Sequence, residues 1–459
     1  MNVADTLPPD FVAALLDAVP QASTAAADRA AAAVDRSGLR GAGLPEIVVR
    51  PRDVADVRTT LRLASEHGVP VVPRGGGSGV AGGAVAGAGT IVIDLSSLDR
   101  IREIDAENQV ALVEPGVITA HLEAAAARVG LRYAPDPASA AISTVGGNIA
   151  TNAGGLRCVK YGVTRDAVLG LDVVLADGTL VSTGRQTLKG VAGLDLTSLF
   201  VGSEGTLGVV VGATLRLRPS PVQTMTVAAG FADVEAAARA CAAVGAAGRE
   251  PSMLELMDVA TLRVVDQAYG TDYAARGGAL VIAQADGAAA QTEIEEIGDV
   301  LAKEATWAEV GVDAASSERL VEARRLALPA IERHGSVLIE DICVPRSRLA
   351  EAFARVEEIA ERRRVRIYAF AHAGDGNLHP LIGYQPTADG EVPKPVRAAG
   401  DDLFSLALEL GGTISGEHGI GRLKRDWLAQ EAGPDSLRVH RAIKAALDPQ
   451  GILNPGAGF

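Results

Sequence analysis

Three of the seven histidines fall in two short motifs rich in glycine, His372-Ala-Gly-Asp-Gly-Asn-Leu-His379 and Ser415-Gly416-Glu417-His418-Gly419-Ile420-Gly421. Imidazoles suit two kinds of chemistry, holding a divalent metal through a ring nitrogen and moving a proton near neutral pH. The segment RIYAFAHAGDGNLHPLIG reads as two strands around Asp375-Gly376, a residue pair suited to a tight hairpin turn. A two-residue turn there sets His372 directly opposite His379. Facing Cβ atoms lie about 5 Å apart, so both rings can reach one metal at about 2.0 Å. A carboxylate is the natural third ligand, leaving positions open for substrate, and Glu417 is the candidate. Adjacent residues of an extended strand point to opposite faces. Glu417 and His418 can therefore serve one site only if Gly416, Gly419 and Gly421 bend the backbone. Without a function, the motifs are a hairpin with two satisfied histidines and a solvated Glu-His pair.

Upstream lies a second kind of chemistry. Pro73-Arg74-Gly75-Gly76-Gly77-Ser78-Gly79-Val80-Ala81-Gly82-Gly83 follows the apolar run VPVV, and its bare N–H groups could cradle phosphate. Gly77, Gly79 and Gly82 satisfy GxGxxG, with Asp94 or Asp99 at a distance suited to a ribose contact. Only Gly83 to Gly89 separate this loop from the next strand, too few residues for the helix that a Rossmann unit opens at its loop, so that reading is rejected. Two further stretches, Ser143 to Gly155 and Val201 to Gly208, have the same character. One such loop is more often a turn, but three suggest one extended ligand.

The elements that must position these groups are spread over 459 residues, enough for two or three domains of about 150 residues. Hydrophobic residues make up 48% and charged residues 22%, a mix that folds by itself. A net charge of −14 excludes the footprint of a general nucleic-acid or anionic-membrane binder. Cys158, Cys241 and Cys343 are too few and too scattered for a disulfide framework or a CxxC metal site, which makes reduced cytosol the expected compartment. The start MNVADTLPPDFVAALLDAV lacks a signal-like apolar region, and no run of about 18 apolar residues occurs, so neither an export tag nor a membrane span is expected.

Residues 1–42 are rich in alanine at helical spacing, broken by Pro20 and Ser37-Gly38, and read as a helical appendage. From Ile47 the pattern is strand, helix and strand, with Asp53 as N-cap of a helix over 54–67 that Gly68 stops. Strands follow at 90–95 and 110–116, then a helix from about Ile118 to Gly130 and a hairpin around Asp177-Gly178. Beyond Arg218-Pro219-Ser220-Pro221, helices near 232–246, 289–303, 316–333 and 347–364 alternate with short strands, and a last helix near 436–446 ends in LDPQGILNPG. The expected domains are 43–221 for the glycine loops, 222–415 for the substrate and 416–459 returning to the first domain.

From about residue 43 onward the chain resembles flavoproteins of the vanillyl-alcohol oxidase type with a PCMH-type FAD-binding domain. PRGGGSG resembles that family's pyrophosphate loop, PDPASAAISTVGGNIATNAGG its second FAD segment and GSEGTLGVVV its third. The fold so implied is α+β, a two-subdomain FAD-binding domain plus an α/β substrate (cap) domain with an antiparallel sheet. By the same resemblance the FAD contacts are Arg74, Gly75, Gly76, Gly77, Ser78 and Gly79 in the first loop. Pro135, Asp136, Ser143, Gly146, Gly147, Thr151 and Asn152 follow in the second, Glu204 and Val210 in the third, and Asn454 in the tail. Some relatives carry a flavin-linking His in the first loop. Gly75 to Ser78 contain none, so non-covalent FAD is expected.

HAGDGNLH and SGEHGIG resemble the signatures of FAD-linked 2-hydroxy acid dehydrogenases, which include cytochrome-linked D-lactate dehydrogenases, the glycolate oxidase D subunit and D-2-hydroxyglutarate dehydrogenase. The resemblance implies zinc or manganese on His372, His379 and Glu417, with His418 as catalytic base. Arg324 would be the cation for the acid, and Arg325 the neighbouring substitute. Hydroxyglutarate enzymes place a Thr and a Lys where this chain has Leu328 and Ile339; a second carboxylate against apolar groups costs several kcal/mol. The expected substrate is therefore a small monocarboxylic D-2-hydroxy acid, lactate before glycolate. The alternatives are D-2-hydroxyglutarate dehydrogenase and a non-catalytic flavin or metal subunit of a larger dehydrogenase. Alkyl-glycerone-phosphate synthases share the flavin domain, but their run of consecutive histidines is absent. No nicotinamide site is evident, so an external acceptor is implied: a quinone, a cytochrome, an electron-transfer flavoprotein or oxygen. A homodimer is compatible with the resemblance, as is a cytoplasmic protein peripheral to the membrane through its acceptor.

Overall fold

The computed structural model describes residues 7–388 and 390–459. The chain forms two compact units. The first comprises residues up to Gly154, Gly162–Ser220 and Glu417–Phe459; the second comprises Gly155–Tyr161 and Pro221–Gly416.

The first unit contains two main sheets. One has the strand order Ala22–Ser23, Ile47–Val49, Ile91–Asp94, Val71–Arg74, and the last three strands run parallel, with Val48 and Val72 both in register with Val92. The helix Val54–His67 makes one crossover; Asp53 caps it by accepting the Asp56 N–H, and Gly68 ends it in the left-handed region. The other crossover, Gly75 to Thr90, contains no helix. The second sheet is antiparallel, in the order Ile101–Asp105, Val110–Val113, Val209–Arg216, Val168–Val174, Leu180–Gly184. Its last pair is the hairpin expected around Asp177-Gly178, with Gly178 at φ +82°.

Residues 1–6 lie outside the described residues, and the rest of the segment read as an appendage sends a few apolar side chains into this unit's core. Phe11 and Leu15, spaced four apart on the helix Pro9–Ala18, are wholly buried with Val19 against Ile47, Val71 and Ile91. Such side chains contribute about 1.5–3 kcal/mol each, which fastens the segment to the sheet. The tail also returns to this sheet: Val71 donates to the Ile452 carbonyl at 2.8 Å and accepts from the Asn454 N–H at 2.7 Å.

In the second unit one eight-stranded antiparallel sheet runs Trp307–Val310, Thr224–Phe231, Ala279–Asp286, Met253–Asp258, Arg366–His372, Asn377–Tyr384, Ser336–Ile339, with Ile342–Cys343 also paired to Asn377–Tyr384. The helices Val234–Ala246, Ala290–Leu301, Ala314–Glu332 and Leu349–Arg363 match the sequence reading within a few residues. Val259–Tyr269 and Lys394–Glu409 add to it. Residues 155–161, expected in the flavin domain, belong here because Lys160 and Tyr161 both bond the buried Asp286 carboxylate at 2.7 Å. The last helical stretch of the first unit, Arg425–Leu447, is two helices joined by a kink at Gly433, φ +72°, and the second of them, from Pro434, is the helix expected near 436–446. No helix among the described residues is long and apolar enough to cross a membrane.

Candidate active site

In the second unit the strands Arg366–His372 and Asn377–Tyr384 form the expected hairpin with a different register. His372 pairs with Asn377, and His379 with Phe370. The turn has four residues, Ala373 to Gly376, where two were expected. Ala373 donates its N–H to the Leu254 carbonyl at 2.8 Å, and Gly376, φ +88°, lies so close to the Val344 carbonyl that a Cβ would not fit. Neighbouring strands thus claim the donors that a tight Asp-Gly turn would use. The two histidines are diagonal neighbours on one face, and their rings still meet edge-on with centroids 4.9 Å apart.

Each imidazole has its Nδ1 side turned to a buried carboxylate. His372 Nδ1 lies 2.7 Å from Glu255 Oε1, and His379 Nδ1 lies 3.9 Å from Asp341 Oδ1. Neither carboxylate side chain has exposed surface. At His372 the carboxylate bonded to Nδ1 is the arrangement that leaves Nε2 as the lone-pair donor in metal-bound histidines, while Asp341 faces His379 beyond hydrogen-bond distance; the donor set fits a divalent ion. Glu255 does more: its second oxygen accepts the Arg324 Nε–H at 2.7 Å. The Arg324 guanidinium lies over the Phe370 ring, 3.9 Å from its centroid, and leaves its Nη edge for an anion. Arg325, one residue on, is exposed and paired with Glu318. Glu255 and Asp341 were not assigned roles from sequence; the signal for Glu255 was a lone carboxylate inside the apolar run MLELM, where burial demands partners.

Also in this unit, Ser415 donates to Asp341 Oδ2 at 2.9 Å, and Gly416 rests on the Asn377 side chain, the ladder neighbour of His372. Gly416 is the last residue of the second unit, and Glu417 the first of the returning segment.

In the first unit the backbone bends at Glu417 and His418, and Gly419 and Gly421 take φ of +82° and +52°. Glu417 Oε1 lies 3.9 Å from His418 Nε2 although the two residues are adjacent. The turn is held by Glu204, whose Oε1 accepts from Ile420 N–H and Oε2 from Gly421 N–H, both at 2.7 Å. Burial pushes the Glu204 carboxyl up from its ordinary range, while these donors and Lys424 oppose the shift. Asn454, at φ +42°, donates through Nδ2 to the carbonyls of Gly83 and Glu204, both at 2.8 Å. It thereby ties the tail to the first and third glycine segments.

The first two glycine segments lie against each other. A Cβ at Gly75 would strike the Thr144 hydroxyl, and one at Gly76 the Ile142 carbonyl. Among the described residues, the N–H groups of Gly76, Gly77, Ser78 and Gly79 donate to no protein group. That row of open donors on a loop with no side chains in the way fits a pyrophosphate. The other expected flavin residues are differently engaged. Arg74 turns back to the Val34 carbonyl, and burial pulls its pKa down. Ser143 is buried against Thr119, and Gly146 donates to the Pro115 carbonyl. Gly147 donates to the capping Thr144 hydroxyl, and Thr151 bonds back to Gly147. Asn152 ends that helix in the left-handed region and accepts from Arg165. Pro135 is buried and Asp136 half-buried in the loop beyond Arg132, while Val210 is a buried strand residue.

Comparison with known proteins covers nearly the whole chain. Residues 45–184 match the family described as "FAD binding domain", and residues 220–457 match "FAD linked oxidases, C-terminal domain". Glycolate oxidase subunit GlcD of Bacillus subtilis is 41% identical over 91% of this chain and 89% of its own. A D-lactate dehydrogenase of Anaerostipes hadrus is 34% identical over 92% and 91%. Among solved structures, p-cresol methylhydroxylase superposes with a TM-score of 0.82, covering 99% of this chain and 98% of its own at 17% identity. An alkyldihydroxyacetonephosphate synthase does so at 0.76, covering 99% and 87% at 20% identity. At such identities these two likenesses concern the fold alone.

Proposed function

The chain belongs to the FAD-linked oxidase family, and from that premise we propose that it oxidises a small D-2-hydroxy acid to the 2-oxo acid, D-lactate before glycolate. The observation that carries this reading is the convergence of Arg324 Nε and His372 Nδ1 on the two oxygens of Glu255, each at 2.7 Å. It sets a cation suited to the acid's carboxylate beside a pair of imidazoles suited to a metal.

Non-covalent FAD is held by the open N–H groups of Gly76 to Gly79. A divalent ion, zinc or manganese, is held by His372, His379 and Glu417. Supporting the third ligand, Glu417 directly follows Gly416, which rests on Asn377, the ladder neighbour of His372. When bound, FAD supplies a hydride acceptor, and the metal supplies Lewis acidity toward the hydroxyl oxygen. Arg324 binds and orients the substrate carboxylate through its Nη edge. His418 takes the hydroxyl proton as the C2 hydrogen departs with its electron pair. With FAD bound, an external acceptor, a quinone, a cytochrome, an electron-transfer flavoprotein or oxygen, would be needed to take the electrons onward.

A monocarboxylate fits better than hydroxyglutarate. Leu328, one helical turn beyond Arg324, is partly buried against the core of the second unit, and Ile339 is half-buried on its strand. Neither offers a partner for a second carboxylate. The test is anaerobic addition of D-lactate, L-lactate, glycolate and D-2-hydroxyglutarate to the FAD-loaded protein while flavin absorbance is followed. Bleaching by D-lactate or glycolate is expected, and His418→Ala should abolish it with FAD still bound. Fastest bleaching by D-2-hydroxyglutarate would overturn the substrate assignment. No bleaching by any acid would leave the non-catalytic subunit reading in its place.

A further inference from the structure

Glu255 has no place in the steps above, yet it is wholly buried within the sheet of the second unit. It faces His372 across the ladder between Met253–Asp258 and Arg366–His372, and its side chain has no exposed surface. A carboxylate so placed must be fully partnered. Its partners come from distant parts of the chain: Arg324 from the helix Ala314–Glu332 to Oε2, and His372 from the next strand to Oε1. Phe370, two residues before His372 on the same strand face, stacks under Arg324 and lies 5.6 Å from the His379 ring.

We propose that Glu255 is a positioning residue that sets the substrate cation and the metal-binding imidazole with one carboxylate, so that acid binding and metal retention depend on the same side chain. This rests on the function proposed above and deepens it. By accepting from His372 Nδ1–H, Oε1 fixes the tautomer that presents Nε2 as a donor. By accepting from Nε of Arg324, Oε2 orients the planar fork so that its Nη edge meets a carboxylate squarely. A misplacement of either group by about 1 Å costs roughly 100-fold in rate.

The substitution Glu255→Gln keeps the shape but presents an amide NH2 to one of two donors. Two readouts are needed, one of them independent of turnover. Titration of zinc or manganese into metal-stripped protein should show affinity lowered by about 10- to 100-fold, the range for loss of a carboxylate behind a ligating histidine. In steady-state assays KM for D-lactate should rise at least about tenfold even at saturating metal, because Arg324 is no longer held. FAD content should stay at the wild-type level. A variant with wild-type metal affinity and wild-type KM overturns the inference. If Glu255→Gln does not accumulate as folded protein, Glu255→Asp replaces it, with smaller losses of both kinds expected and wild-type values again decisive against. The two readings fail separately. A wild type that no hydroxy acid reduces refutes the function, whereas the metal titration still decides whether Glu255 holds His372.

Discussion

Glu204 accepts the backbone N–H of Gly421 at 2.7 Å, and its other oxygen accepts that of Ile420 at the same distance. A single buried carboxylate thus fixes the turn immediately after His418. A Cβ at Gly419 would come within 2.9 Å of Glu204 Oε1, and one at Gly421 would strike the Ala81 carbonyl, so the close approach requires glycine at both positions. The sequence reading placed Glu204 among the flavin contacts; both its oxygens accept from the loop that follows His418.

Glu204→Gln turns one acceptor into a donor facing an N–H. Loss of a charge-assisted bond of about 1.5–3 kcal/mol should let the turn shift and lower the rate of flavin reduction roughly 10- to 100-fold. The FAD-to-protein ratio should change little. A variant that loses its flavin and reduces normally once FAD is restored would return Glu204 to the cofactor contacts.

Gly76→Ala should act on the flavin first. Its Cβ would strike the Ile142 backbone carbonyl, which has no flexible side chain to yield, so the first loop must move off the second. The purified variant is expected to carry less FAD per chain, seen as a lower ratio of flavin to protein absorbance. Gly190→Ala, at an exposed position outside the glycine loops where a Cβ would meet nothing within 4 Å, is the control that should keep its FAD.

What the sequence revealed depended on how local the signal was. Asp53 and Gly68 bracket their helix as expected because a cap and a left-handed stop act within one turn. The pairing of His372 with His379 was legible as spacing, but the register was not. Asp375-Gly376 would make a two-residue turn in isolation, and the Leu254 carbonyl that recruits Ala373 lies more than a hundred residues away. The last helix lies where it was expected, beyond the kink at Gly433 with Pro434 at its start, and the helical segment from Arg425 before the kink was not foreseen. Glu255 could not be given a function from sequence, since its meaning comes from Arg324 and His372, joined to it only by the folded sheet.

Asp402 ties the helices Leu349–Arg363 and Lys394–Glu409 of the second unit. Arg363 grips it with two bonds, Nε at 2.6 Å and Nη2 at 2.8 Å, and Arg362 adds a third at 3.0 Å. The Arg363 bonds hold its carboxyl below the usual range. A depressed folded pKa stabilises the fold above the unfolded carboxyl value of about 3.9, and the contribution is lost as pH falls through the folded value. The arginines are partly exposed, so its worth is about 1 kcal/mol. Asp402→Asn should therefore lower the thermal midpoint by a few degrees near pH 7, with the difference from wild type shrinking below about pH 4. A difference that is constant over this pH range would show that the bridge is not what stabilises the pair.

Specificity for a monocarboxylate should reside at two apolar positions that are open to exchange. Leu328 follows Arg324 by four residues and Ile339 pairs with Leu381 at the end of Ser336–Ile339, so both are fixed by regular elements and neither holds a loop. Leu328→Thr with Ile339→Lys supplies a hydroxyl and an ammonium to a wall that now has only carbon. Burying a carboxylate beside the wild-type wall costs several kcal/mol, most of which a paired charge and hydroxyl would recover. The ratio of kcat/KM for D-2-hydroxyglutarate over D-lactate is expected to rise at least about tenfold in the double variant. Part of that change should come from weaker D-lactate turnover, because a lysine left without a carboxylate is itself unpaired. Each single variant should move the ratio less than the pair, and an unchanged ratio in the double variant would show that these residues do not face the substrate.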